Sequence, residues 1–167
     1  MKKLIILLVA AISLLTACTV KYSLSGASIP PDAKTFSVAY FPNNAPMVAP
    51  VLSATLTDEL TQRFASRTSL VQVEEGGDFA FEGEIVGYSS TTSSVSSGDF
   101  ALQNRLTISI KVKFTNAIDD KMSFNRNFSA YADYDSTKLL TEVEGDLIPQ
   151  IVEQLVTDIF QASASNW

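Results

Sequence analysis

The chain of 167 residues contains no histidine and one cysteine, Cys18. The absence of histidine removes the most common general base, the Ser-His-Asp and Cys-His nucleophile systems, and the usual zinc ligand sets. One cysteine forms neither an internal disulfide nor a cysteine-pair metal site. Carboxylates and lysines are the groups left for chemistry. We therefore predict no cofactor, no metal and no catalytic residue.

Basic residues are also scarce, since 12 Lys and Arg stand against 18 Asp and Glu, for a formal net charge of −6. Nucleic-acid binding draws its affinity from clustered Lys and Arg that neutralise phosphates. An acidic chain is a poor candidate for that role, so we predict no nucleic-acid partner.

The N-terminus has the pattern of a lipoprotein leader. Two lysines precede an apolar run over residues 4–15, which is too short to cross a bilayer, because a spanning helix needs roughly 20 residues. The run fits the apolar core of a secretion signal, and Leu-Thr-Ala at 15–17 followed by Cys18 fits the site that lipoprotein signal peptidase cleaves. We predict a signal peptide over residues 1–17 and lipid attachment at Cys18; the alternative is an ordinary signal peptide with a chance cysteine.

The residues after the cysteine bear on location. Thr19, Val20 and Lys21 are not acidic, which favours the periplasmic leaflet of the outer membrane over inner-membrane retention or surface export. Three acyl chains at Cys18 exceed the two signals that stable anchoring requires. We expect residues 18–33 to be a lipidated tether that anchors the protein without spanning the membrane.

Residues 34–167 are predicted to form one domain. Alternating or apolar segments predict strands at 34–41, 70–74, 79–88, 105–114 and 122–134. Apolar residues at helical spacing predict a helix over 48–67 and a final helix, which Gly145 and Pro149 divide into a short part and a longer part from about Asp146. The Ser/Thr-rich stretch 89–98 is expected to be a flexible loop. We predict a two-layer α+β domain with both helices on one face of a mainly antiparallel sheet.

The strands at 105–114 and 122–134 allow a register to be predicted, because their apolar residues must share one face. Pairing Phe114 with Phe124 sets Arg105 opposite Asp133 on the wet face. It also sets Arg126 opposite Val112 on the apolar face. Arg126 then requires either a bulge or a position where the buried face meets solvent or a partner.

Two sets of charged residues are candidates for function. Glu82 and Glu84 share a strand face, and paired carboxylates can hydrolyse glycosides, although a solvated strand face explains them more simply. Arg105, Lys111 and Lys113 share one face of their strand. We predict that these three contact an anionic glycolipid or a partner's carboxylates; the alternative is again a solvated face.

Several segments together resemble the LptE family of lipopolysaccharide-assembly lipoproteins, in the form found in Bacteroidota. The segments are SGASIPPDAKTFSVAYFPNNAP (Ser25–Pro46), FEGEIVGYS (Phe81–Ser89), RLTISIKVKFTN (Arg105–Asn116), FSAYADYDS (Phe128–Ser136) and IVEQLVTDIF (Ile151–Phe160), with Asn166 and Trp167 at the end. The resemblance implies two helices against a four-stranded sheet. It also implies a non-enzymatic plug that sits inside an LptD-type outer-membrane β-barrel and helps it deliver lipopolysaccharide.

Two other functions remain open. One is a stand-alone periplasmic lipoprotein that binds a small ligand or glycan, which would need a concave apolar pocket. The other is a carboxylate-based hydrolase, which would need a second acidic cluster.

Overall fold

The computed structural model describes residues 29–47, 49–93 and 102–164. The predicted signal peptide, Cys18 and most of the predicted tether lie outside these residues. So does the part of the predicted Ser/Thr-rich loop from residue 94 onward.

The described chain forms five strands and two long helices. Their order is β1 (Thr35–Val38), α1 (Leu52–Arg67), β2 (Val71–Gln72), β3 (Phe79–Ser93), β4 (Gln103–Asn116), β5 (Phe124–Asp135) and α2 (Leu140–Ala164), with a short 3₁₀ turn at Asp120–Met122 before β5. Of these elements, neither helix is long and apolar enough to cross a membrane.

The strands form one mixed sheet in the order β2-β1-β3-β4-β5. β1 runs parallel to both β2 and β3, whereas the β3–β4 and β4–β5 pairs are antiparallel. The α+β class is therefore confirmed, but the expectation of four mainly antiparallel strands is wrong in its count. The segment predicted as a strand at 70–74 forms the two-residue β2, which adds a fifth strand beside β1. Because α1 carries the chain back, β1 and β2 run parallel.

Both helices cover the same face of the sheet, and their apolar stripes form the core with it. In α1 the stripe Leu52, Leu56, Leu60 and Phe64 is fully buried. The ring of Phe64 lies 4.6 Å from that of Phe81 on β3 and 5.1 Å from that of Phe160 on α2. Phe64 thus joins both helices to the sheet.

The final helix is continuous, so the predicted interruption at Gly145 and Pro149 is wrong. Proline inside a helix costs about 3 kcal/mol. Leu147 and Ile148 before Pro149, and Ile151 after it, are buried on one stripe. Burial of such a side chain contributes about 1.5–3 kcal/mol, so the packing on both sides of the proline outweighs its cost.

The Ser/Thr-rich stretch is a strand in its first half, which corrects the predicted loop. β3 continues through Ser93 and pairs with β4 as far as Gln103. The hydroxyls of Ser90 and Tyr134 lie 2.6 Å apart, which ties this extension to β5. Polar strand residues are tolerated here because β4 supplies their backbone hydrogen bonds.

The predicted register of the β4–β5 hairpin is confirmed at every pair that was proposed. Phe114 pairs with Phe124, Arg105 with Asp133, and Val112 with Arg126, with no shift along the ladder. Of the two explanations for Arg126, the bulge is therefore excluded. Arg126 is exposed and lies where the buried face meets solvent.

Candidate functional site

The sheet face that points away from the helices is polar and uncovered in the described part of the chain. We call it the polar face: the outward residues of β3, β4 and β5. Its β4 row runs Arg105, Thr107, Ser109, Lys111 and Lys113, and the β5 row opposite runs Asp133, Tyr131, Ser129, Asn127 and Asn125. The three predicted basic residues lie on this face, as the alternation required.

The guanidinium of Arg105 is bound by two residues of the neighbouring strand β5. Its Nε and Nη2 atoms donate hydrogen bonds of 2.7 and 2.9 Å to the two carboxylate oxygens of Asp133. Its guanidinium carbon lies 3.7 Å from the ring centroid of Tyr131. The hydrogen bonds raise the pKa of Arg105 and lower that of Asp133. This geometry leaves the guanidinium little freedom to bind an outside anion.

Lys113 and Lys111 differ in their pairing. The Nζ atom of Lys113 lies 3.3 Å from Glu82 Oε2. Lys111 stands opposite Glu84 in the ladder, but Glu84 Oε2 accepts a 2.7 Å hydrogen bond from Asn44 Nδ2. Among the described residues Lys111 has no ion pair, so it is the member of the predicted basic set whose charge is free.

The three basic residues do not form one cluster. Arg105 and Lys111 are six residue steps apart along β4, which is roughly 20 Å at about 3.3 Å per residue. Lys111 and Lys113 instead share a shallow depression of about 350 Å³ with Glu82, Gly83 and Glu84 of β3, Asn125 of β5 and Pro42 of the loop after β1. Its lining combines two carboxylates with two lysines, and of these lysines only Lys111 is without an ion pair among the described residues.

The candidate carboxylates Glu82 and Glu84, and Asp119 in the turn before β5, all have structural partners. Glu82 pairs with Lys113 and Glu84 accepts a hydrogen bond from Asn44, so the two carboxylates in the depression both have neighbours as partners. Asp119 accepts a 3.1 Å hydrogen bond from the backbone N–H of Lys121, the local role expected of a turn aspartate. Within residues 29–47, 49–93 and 102–164, no group of three or more His, Cys, Asp or Glu is placed to hold a metal.

Two further polar contacts were not predicted from the sequence. Asp78 Oδ2 accepts hydrogen bonds from the backbone N–H of Lys34 and Thr35, at 2.8 and 2.9 Å, and from the Thr35 hydroxyl. These bonds lower the pKa of Asp78. The Tyr88 hydroxyl donates a hydrogen bond of 2.9 Å to a carboxylate oxygen of Glu144. The pKa of Tyr88 is raised, mainly because its hydroxyl is removed from solvent and secondly because of this hydrogen bond. Both link segments distant in sequence, so no local pattern marks them.

The geometry defines a small α+β domain with a helix-covered apolar face and an uncovered polar face. A family profile described as "LptE: Lipopolysaccharide-assembly" matches residues 33–163. The chain belongs to the LptE family. The resemblance noted in the sequence is therefore confirmed, and the family is one of non-enzymatic outer-membrane lipoproteins.

Solved structures show the same fold at low sequence identity. The hypothetical protein CT253 from Chlamydia trachomatis superposes with a TM-score of 0.54 at 11% identity, covering 80% of this chain and 99% of that one. Protein XCC0632 from Xanthomonas campestris gives a TM-score of 0.52 at 14% identity, covering 80% and 87%. No curated protein matches the chain. These likenesses support the fold alone.

Proposed function

We propose that this chain is a lipid-anchored outer-membrane lipoprotein that plugs an LptD-type β-barrel, assists the assembly of that barrel, and aids delivery of lipopolysaccharide to the outer leaflet. The observation that carries the proposal is the family match, which extends over residues 33–163 and so includes every described strand and helix except the last residue of α2. The mechanism is binding and positioning, with no reaction catalysed.

The polar face suits a barrel interior. The lumen of an outer-membrane barrel is polar, whereas its outer surface is apolar. On the polar face each acidic side chain named above faces a cation or an amide, and the middle is filled by hydroxyls such as Ser109 and Ser129, whose oxygens lie 2.9 Å apart. A surface with mostly paired charges and many donors and acceptors can be covered by another polar wall, and Lys111, which is unpaired among the described residues, would then need a partner in that wall or in the glycolipid.

Glycolipid contact is the finer part of the proposal. The three basic residues differ in whether their charge is already paired: Arg105 and Lys113 form ion pairs, whereas Lys111 forms none among the described residues. We therefore assign to Lys111 the leading part in binding a phosphate or carboxylate of the glycolipid, with Arg105 and Lys113 as members of the surrounding polar surface. The expected contribution is that of one charge-assisted hydrogen bond.

The anchor is the N-terminal part of the proposal. Removal of residues 1–17 would leave Cys18 as the lipidated first residue. Eleven residue steps from Cys18 to Ile29 span at most about 40 Å. Ile29 packs against the core. The domain would thus stay within about 40 Å of the lipid, close enough to enter a barrel in the same membrane.

The test is recovery of the partner from the outer membrane in mild detergent. Tagged full-length protein should bring down a large β-barrel in near-equal amount, and the Cys18→Ala variant, which lacks the lipid, should be lost from the membrane fraction. Recovery of the protein alone would contradict the plug proposal. It would favour the stand-alone ligand-binding alternative, for which the shallow depression beside Lys111 and Lys113 would be the first place to examine.

A further inference from the structure

The outer edge of β5 is long and unpaired in the described part of the chain. β5 is the last strand of the sheet, pairs only with β4, and extends over twelve residues without a bulge or a proline. The opposite edge is β2, which has two residues. Proteins usually protect sheet edges by shortening, bulging or covering them, because free N–H and C=O groups are a template for another strand. β2 is protected by its length, whereas β5 carries a charge on its apolar face at Arg126 but is neither short nor bulged.

An arginine of unusual placement marks this edge. Arg126 lies on the apolar face, opposite Val112. Its guanidinium carbon is 4.7 Å from the ring centroids of both Phe124 and Phe128. Among the described residues Arg126 forms no ion pair and donates no hydrogen bond. The two rings limit the orientations of the guanidinium, so less conformational freedom is lost when it binds a carboxylate.

A depression continues the edge toward the C-terminal half of α2. It has a volume of about 370 Å³ and is lined by Arg126, Phe128, Asp158, Gln161 and Ala162. The depression therefore offers a cation, an aromatic face, an amide and one carboxylate. Asp158 disfavours a multiply charged phosphate here, whereas a peptide with a single acidic side chain can place it at Arg126 and keep other groups near Asp158 and Gln161.

We propose that the β5 edge is a docking site for an extended segment of a partner protein, which adds to the sheet as a sixth strand and places an acidic side chain on Arg126. The main-chain hydrogen bonds of the added strand would supply affinity, and the carboxylate–arginine pair would set its register. That this partner is the barrel rests on the function proposed above.

Hydrogen exchange of the detergent-extracted complex tests the strand. In full-length protein, amides of residues 124–135 should exchange more slowly in the complex than in the free lipoprotein. Amides of β4 are already paired on both sides and should change little. Unchanged exchange in β5 with the barrel present would overturn the docking site while leaving the plug function intact. Absence of any barrel in the preparation would instead remove the plug function.

A matched pair of variants tests the charge. Arg126→Gln should reduce barrel recovery about tenfold, the loss expected for one charge-assisted bond. Arg67→Gln, an exposed arginine in the last turn of α1, should leave recovery unchanged, since α1 packs toward β1 and away from β5. Equal recovery with both variants would overturn the role of Arg126. A free lipoprotein of twice the expected mass with β5 already protected would identify a second copy as the occupant and overturn the proposal.

Discussion

Gly77 lies so close to β1 that even one methyl group should displace the strand. A Cβ atom at Gly77 would be 2.5 Å from the carbonyl carbon of Phe36 and 2.6 Å from the backbone nitrogen of Ser37. Both are main-chain atoms and cannot rotate away. β1 would have to move, which would weaken the bond from Gly77 N–H to Ser37 Oγ and the neighbouring bonds to Asp78.

The expected size follows from those contacts. Overpacking of this kind costs about 1–3 kcal/mol, and each weakened hydrogen bond adds about 0.5–1.5 kcal/mol. We expect Gly77→Ala to lower the free energy of unfolding by about 2–4 kcal/mol. Urea denaturation followed by circular dichroism measures this directly, provided that the dependence on urea stays the same in both proteins.

Gly145 provides the matched control, because the same methyl group there would meet no atom within 4 Å. Gly145 lies inside α2, where alanine is favoured over glycine by about 0.5–1 kcal/mol. Gly145→Ala should therefore stabilise the domain. If Gly77→Ala changed the free energy by less than about 0.5 kcal/mol, or if both variants shifted it in the same direction, the argument from backbone contact would be refuted.

Three other predictions concern the core, acid stability and the polar face. Phe64→Ala should cost about 3–5 kcal/mol, and Phe124→Ala, at a partly exposed edge position, clearly less; equal losses by urea denaturation would contradict the packing assigned to Phe64. The lowered pKa of Asp78 means that its stabilisation is present above about pH 4 and is lost as pH falls through the folded-state value. Asp78→Asn should make the unfolding free energy fall less steeply between pH 6 and pH 3, and an unchanged slope would count against this. Lys111→Gln should lower the affinity for purified lipopolysaccharide, and the dependence of that affinity on salt concentration, more than Lys113→Gln does. Thermal unfolding should stay unchanged in both variants. Equal effects on binding would argue that ion pairing within the sheet does not decide which lysine contacts the glycolipid.

Local patterning was sufficient for the helices' buried faces and for the β4–β5 hairpin. The large aliphatic and aromatic residues at helical spacing between residues 147 and 160 of α2 are all buried: Leu147, Ile148, Ile151, Val152, Leu155, Val156, Ile159 and Phe160. The register of β4 and β5 followed from alternation, because a shift by one residue would have exposed every apolar side chain of one strand. The sequence also showed that Arg126 lies on the apolar face opposite Val112, because the alternation of apolar and polar residues in β5 is broken at that position.

Predictions failed where long-range packing outweighed local preference. Pro149 signals a helix break, but the buried stripe on both sides of it holds α2 together. The serines and threonines after Tyr88 signal a loop, but pairing with β4 extends β3 to Ser93. The strand predicted at 70–74 is present as the two-residue β2, but only the return of the chain through α1 places it beside β1 as a fifth strand of the sheet.

For the polar face, the sequence by itself determined which side chains point outward, because the period of a strand is two residues. It could not determine which charges are free. Lys111 and Lys113 look equivalent in sequence, but only Lys113 forms an ion pair, which it makes with Glu82. Glu84, which stands opposite Lys111, instead accepts a hydrogen bond from Asn44 of a distant loop. Pairing between charges depends on distances across three segments of chain, and only the tertiary structure sets those distances.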